Sequence, residues 1–296
     1  MTDLSSDTPT SFAAHARANR RELERRYPLV FAGDPLGRTL TIATVLGIAG
    51  LLVFGFWYLE FEPMKMWLGL GKLGDFVRFM IPPSTGTWSK FLIYLDALGE
   101  TVAIAFLGTL LGAILAAPFG FLAARNVMAR RFVQFTTRRF LDSVRGVDEL
   151  IWALIWINVV GLGPFSGVLA ITVTMFGAFG KLYSEAIEAI DEKASEGVIS
   201  TGGNAIHRIR YGIIPQVLPV IAGQVLYYFE SNTRSATIIG IVGAGGIGLH
   251  LAEQIRTLEY QHVSALILMI LVAVATIDYF SSRLRFAIIG KSQVAV

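Results

Sequence analysis

The stretch TVAIAFLGTLLGAILAAPFGFLAA, residues 101–124, contains no charged side chain. A helix rises about 1.5 Å per residue, so a run of this length crosses a bilayer core, which takes about 20 helical residues. In lipid only a helix or a closed barrel satisfies the backbone, and an unbroken apolar run is the helical signature. A second such run, TLTIATVLGIAGLLVFGFWYL, occupies residues 39–59. Together they predict an all-α, polytopic integral membrane protein.

The rest of the chain agrees. Hydrophobic residues make up 54% of it and the mean hydropathy is +0.59, more apolar material than one soluble core requires. Within the 101–124 run, Gly108 and Gly112 have the spacing that lets two helix backbones approach, and Pro118 is expected to kink the helix near its end. Residues 150–178 form one apolar region broken by Gly161, Leu162, Gly163 and Pro164. Its first half, Leu150 to Val160, is short for a crossing. A hairpin there returns the chain to the side it came from, whereas one continuous crossing reverses the order of every later segment. A fifth segment is expected from Ile213 to Gly248, interrupted by Glu230 and Arg234, and a sixth from His262 to Ser282 with Asp278 near its end. The total is about six transmembrane helices.

Charge sets the orientation. The net charge is only +3, which fits membrane sidedness better than nucleic-acid binding. Arginines crowd residues 1–37 (Arg17, Arg20, Arg21, Arg25, Arg26) and 125–146 (Arg125, Arg130, Arg131, Arg138, Arg139, Arg145), placing both in the cytoplasm with both termini. The first stretch lacks the apolar start of a cleaved signal peptide. Residues 57–88 mix Trp, Phe, Met and Leu with Lys65, Lys72, Asp75 and Arg78; they fit an amphipathic helix on the bilayer or an extracytoplasmic loop. The expected organisation is a basic segment at 1–37, a first transmembrane helix at 38–60, an interfacial segment at 61–98, a core at 99–290 and a tail at 291–296.

Catalytic classes find little support. There is no cysteine, and His15, His207, His250 and His262 lack metal-ligand spacing. Gly243, Gly245 and Gly248 match a dinucleotide fingerprint literally, but they follow an apolar helix instead of a strand, so a turn or packing element is expected. Lys291 and Ser292 end what would be a phosphate loop, but Arg285 stands where its leading glycine belongs.

Between the fourth and fifth segments the chain reads Glu196, Gly197, Val198, Ile199, Ser200, Thr201, Gly202, then Gly203, Asn204 and Ala205 through Arg208 and Arg210 to Pro215. Residues 189–200 can form a short helix, Gly202 and Gly203 a sharp turn, and residues 205–211 a second helix before Pro215 opens the next span. Two short helices make a rigid knob. This pattern resembles the cytoplasmic "EAA" loop of ABC importer permeases, in the steps from Glu196 to Gly202 and from Gly202 to Pro215. Val198 departs from it where a second small residue is common, as does Gly212 where an isoleucine is common. The resemblance implies a type I importer permease fold of the MetI-like kind, with coupling helices at about 189–211. It also implies that Glu196, Gly197, Val198, Ser200, Thr201, Gly202, Gly203, Asn204, Arg208 and Pro215 form the contact to a cytoplasmic ATPase dimer, which carries ATP and Mg. The chain itself would bind no cofactor and catalyse nothing. An extracytoplasmic substrate-binding protein, a second permease copy or paralogue, and lipid complete the expected partners, in a bacterial cytoplasmic membrane.

A narrower resemblance, to phosphonate importer permeases, rests on residues 145–154, 161–170, 180–188 and 243–248 and implies a small anionic cargo. Glu230 and Arg234 lie one helical turn apart and can pair, which softens the cost of a charge in the membrane. With Ser231, Asn232 and Ser235 they are the candidate translocation-pathway residues. The same side chains, with Thr233 and Thr237, can instead bond between helices. Asp148 and Glu149 are expected to cap the short third segment. An ion-gradient-driven secondary transporter using Glu230 and Arg234 is the competing class.

Overall fold

A computed structural model describes residues 19–26 and 35–290; the rest of the 1–37 segment, the 291–296 tail, His15, Arg17, Lys291 and Ser292 lie outside the described residues. Every element within them is helical. The chain divides into two compact units, ending at Leu73 and starting at Gly74.

The first unit holds α1 (Arg20–Arg26) and α2 (Pro35–Tyr58). Residues along α2 from Leu40 to Tyr58 carry no charge and are almost all exposed, as expected of a helix whose solvent is lipid. Helix α3 (Pro63–Phe79) lies in the stretch expected to be interfacial and buries none of its residues.

The second unit is a bundle of α4 (Trp88–Ala123), α5 (Arg131–Arg145), α6 (Glu149–Val160), α7 (Pro164–Glu188), α9 (Ala205–Ile241) and α11 (Tyr260–Ile289), with the short helices α8 (Glu192–Ser200) and α10 (Ile247–Arg256). Among the described residues five helices, α2, α4, α7, α9 and α11, are long and apolar enough to cross a membrane.

Helix α4 begins thirteen residues before the charge-free run, because Thr87 caps it and Tyr94 and Ala97 already pack inward. Its partner is α7. Gly108, Gly112 and Gly120 on α4 face Ile171, Met175 and Tyr183, and a Cβ added at any of the three would lie 2.6 Å from the opposing side chain. The glycine spacing read in the sequence therefore marks a real close approach. Gly112→Leu is expected to destabilise the bundle by about 3 kcal/mol or more, since the extra atoms have no space to enter. Thermal unfolding of detergent-purified protein measures it, and an unchanged transition would refute this packing.

The connector after α4 is itself largely helical. Residues 131–145, read as part of a cytoplasmic connector, form α5, which runs antiparallel along the second half of α7. Arg138 pairs with Glu188 at the last turn of α7, Leu141 packs on Gly180, and the Arg145 amide nitrogen would lie 2.9 Å from a Cβ at Gly177, near the middle of α7. The chain breaks at residues 146–148 and resumes as α6. Helices α5 and α6 thus follow one another in series beside α7, and the expected hairpin of α6 with α7 holds. The Gly146 amide donates to Asp142, and Asp148 accepts from the Leu150 amide, so the break leaves little backbone unsatisfied.

The fifth helix also ends earlier than expected, at Ile241. Gly243, Gly245 and Gly246 adopt φ of 109°, 83° and 71°, forming a turn that only glycine accepts readily. Thr101 receives the Ile247 amide at 2.8 Å, tying the turn to α4, and residues 247–256 become α10.

Candidate functional site

Two places concentrate the sequence-derived candidates: the hairpin of α8 with the start of α9, and the charged centre around Glu230.

Asp191 caps α8 by accepting from the Lys193 amide. The helix ends because the Gly202 amide donates to Ile199 O and the Gly203 amide to Val198 O, with Gly202 at φ +86°. Any Cβ at Gly203 would lie 2.6 Å from Val198 O, so the second glycine is required by space. Asn204 then starts α9 with a reciprocal cap: its carboxamide accepts from the His207 amide, and its own amide donates to the His207 ring.

No separate second helix exists, contrary to the sequence expectation. The chain passes from Ala205 through one wide π turn, Arg208–Ile213, straight into the membrane span. Pro215 offers no N–H and its ring crowds the carbonyl four residues back, so a widened turn just before it keeps the helix continuous. At Gly212 an added Cβ would sit 2.9 Å from Ser195 Cα, so the two arms touch there. The departure from isoleucine at this position is thus a close crossing.

The base of the hairpin is fixed. Asp191 and Gln216 exchange hydrogen bonds at 3.1 and 3.2 Å. Arg208 donates to Asn126 O, and Asn126 to Ile187 O, joining the hairpin to the ends of α4 and α7. The tip is bare: Glu196, Gly197, Ser200, Thr201, Gly202 and Asn204 are exposed, while Val198 and Gly203 are partly covered. Ser200 and Thr201 turn their hydroxyls back onto Gly197 O and Val198 O. Ile199 and Ile206, not singled out from sequence, are 51% and 72% exposed. Two bare isoleucines beside a polar turn are the signal that marks them.

In the second centre Glu230 is 7% exposed and accepts from two arginines. Arg234 reaches one carboxylate oxygen at 3.2 Å and Arg285 of α11 reaches the other at 3.4 Å. The Arg285 guanidinium also lies 5.6 Å from the Tyr227 ring and 4.0 Å from Asp278. The first pair is the one expected from the one-turn spacing; Arg285 was missed. Asn232 is buried and donates to Thr109 of α4 at 2.8 Å, and Thr233 bonds back to Phe229 O, so these two make helix contacts. Ser231 and Ser235 are partly exposed, and Ser281 of α11 donates to Leu226 O nearby. Asp148 caps α6 as expected. Among the described residues no group of three or more His, Asp or Glu could hold a metal ion. His262 instead meets Tyr94 at 3.3 Å, and His250 meets Glu253 at 3.6 Å.

Residues 116–289 match the family model of the binding-protein-dependent transport system inner membrane component. The chain is 38% identical over 256 residues to the putative phosphite transport system permease protein HtxC of Stutzerimonas stutzeri, covering 86% of this chain and 90% of that protein. It is 48% identical over 118 residues to the putative cryptic phosphonate transport system permease protein PhnE2 of Escherichia coli, covering 40% of this chain and 97% of that one. In fold it is similar to a chain of the MetNI methionine ABC transporter, with a TM-score of 0.61 at 17% identity over 68% of this chain and 99% of that one. With the helical bundle and the protruding hairpin, these matches place the chain in one family: it belongs to the inner-membrane components of binding-protein-dependent transport systems.

Proposed function

We propose that this permease subunit passes a small phosphorus oxyanion of the phosphonate, phosphite or phosphate class, with a phosphonate as the first candidate, and that the 191–216 hairpin is its contact to a cytoplasmic ATPase dimer. The observation that carries the coupling role is the continuity of the hairpin with α9. Its second arm is the first turn of the span that bears Glu230 and Arg234, so a push at Thr201 moves that span directly. ATP-driven closure of the two ATPase subunits would favour one arrangement of the spans over another, the only way such a contact can drive a change of state. ATP and Mg reside on that partner.

The substrate class is supported by the relatives named for phosphite and phosphonate transport and by the half-exposed Arg234, whose planar guanidinium suits a tetrahedral oxyanion. Arg234 and the neighbouring Ser231 and Ser235 are the proposed pathway side chains, with Glu230 holding the arginine in place. An extracytoplasmic binding protein delivers the anion, and a second permease copy or paralogue completes the path. Both chain termini lie in the cytoplasm, on the side of the arginine-rich segments. The gradient-driven alternative is set aside, because the family works with binding proteins.

Tagged permease, expressed with its ATPase and binding protein, is expected to bring the ATPase down on purification and to support ATP-dependent uptake of methylphosphonate or phosphite. Purification without an ATPase would refute the coupling role, and uptake of neither anion would refute the substrate class.

A further inference from the structure

Glu230 is one buried carboxylate held between two guanidiniums from different helices, and the two arginines are not equivalent. Arg234 is 51% exposed along its side chain, whereas Arg285 is 25% exposed and flanked by the Tyr227 ring. Each takes a different oxygen of the carboxylate, Arg234 Oε1 and Arg285 Oε2. Arg234 can therefore swing away without breaking the second contact. If it were the only partner, its departure would leave a buried carboxylate unpaired, and such charges are strongly disfavoured. The centre carries two cations against Glu230, and the nearby Asp278 approaches Arg285.

We propose that Arg285 is a positioning residue: it keeps Glu230 neutralised so that Arg234 can exchange that carboxylate for a tetrahedral phosphorus oxyanion and return to it once the anion has moved on. Arg234 gives Glu230 one hydrogen bond, and an anionic oxygen of a phosphonate can accept the same one, so the exchange costs the arginine no hydrogen bond. Glu230 is the resting occupant of the arginine, and Arg285 makes that occupancy reversible. This assignment rests on the reading that the chain passes such an anion.

The test uses the complete transporter in proteoliposomes, with ATPase, binding protein and radiolabelled methylphosphonate, measuring uptake and ATP hydrolysis together. Arg285→Gln is expected to lower the anion taken up per ATP hydrolysed by about tenfold or more, the order expected for losing a hydrogen bond to a charged group. Binding-protein-stimulated hydrolysis should persist, and Arg285→Lys should recover most of the ratio, because lysine can still hold Glu230. Arg234→Gln should lower the ratio at least as far. An unchanged ratio in Arg285→Gln overturns the assignment. So does a parallel loss of uptake and hydrolysis with a lowered unfolding temperature, which would make Arg285 structural only. A loss in Arg285→Gln with normal uptake by Arg234→Gln also overturns it. Wild-type complex that takes up neither methylphosphonate nor phosphite overturns the substrate reading as well, a result separable from all the others.

Discussion

Gly202→Asp is expected to reduce ATP-dependent uptake to background while the chain still inserts and folds. The two halves of that statement come from different magnitudes. Gly202 has φ +86°, where a residue with a Cβ is strained by roughly 1–2 kcal/mol. Nothing lies within 4 Å of a Cβ added there, so no clash inside the chain adds to that figure. The fold can absorb it. The tip of the hairpin, however, is the surface proposed to enter the ATPase, and a side chain there adds bulk at the turn and a second carboxylate to a surface that already exposes Glu196. Gly202→Ala separates the effects: it carries the backbone strain without the charge and should retain most uptake. Membrane abundance, ATPase copurification and uptake for both variants decide the matter. Full transport by Gly202→Asp would remove the hairpin from the coupling contact.

Glu230→Ala is expected to be the most damaging single change in the charged centre, costing about 3 kcal/mol of stability as cations are left without their carboxylate. Most of that falls on Arg285. Arg234 is half exposed and can find water, so its share is discounted. Thermal unfolding of purified wild type, Glu230→Ala and the double variant Glu230→Ala, Arg285→Met provides the measurement. The double variant should regain stability lost in the single, because removing both partners of a buried pair is far milder than removing one. Equal loss in single and double would mean that Arg285 does not depend on Glu230.

Much of this architecture could be read along the chain. The charge-free runs became α2 and the C-terminal part of α4, and the glycines of α4 became its contact with α7. The steps from Glu196 to Gly202 and Pro215 became a hairpin with a left-handed glycine at its turn. What could not be read depended on partners distant in sequence. Helix α5 looked like a connector because of its arginines, yet Arg138 is satisfied by Glu188 and Ala123 O, both on other helices. Only one side of α5 is apolar, the side carrying Leu141 against Gly180, so no apolar run announced it. Glu230 and Arg234 were visible as a pair because a single helical turn joins them. Arg285 stood out only as the wrong residue in a phosphate-loop pattern, since its link to Glu230 is made by packing α11 on α9.

The interruption at Gly146, Val147 and Asp148 falls about halfway through the bundle, since Arg145 lies beside the midpoint of α7. A rigid rod cannot widen one mouth of a channel without narrowing the other, but two rods joined end to end can hinge. Helices α5 and α6 therefore have an elbow where the long α4 and α7 beside them run unbroken.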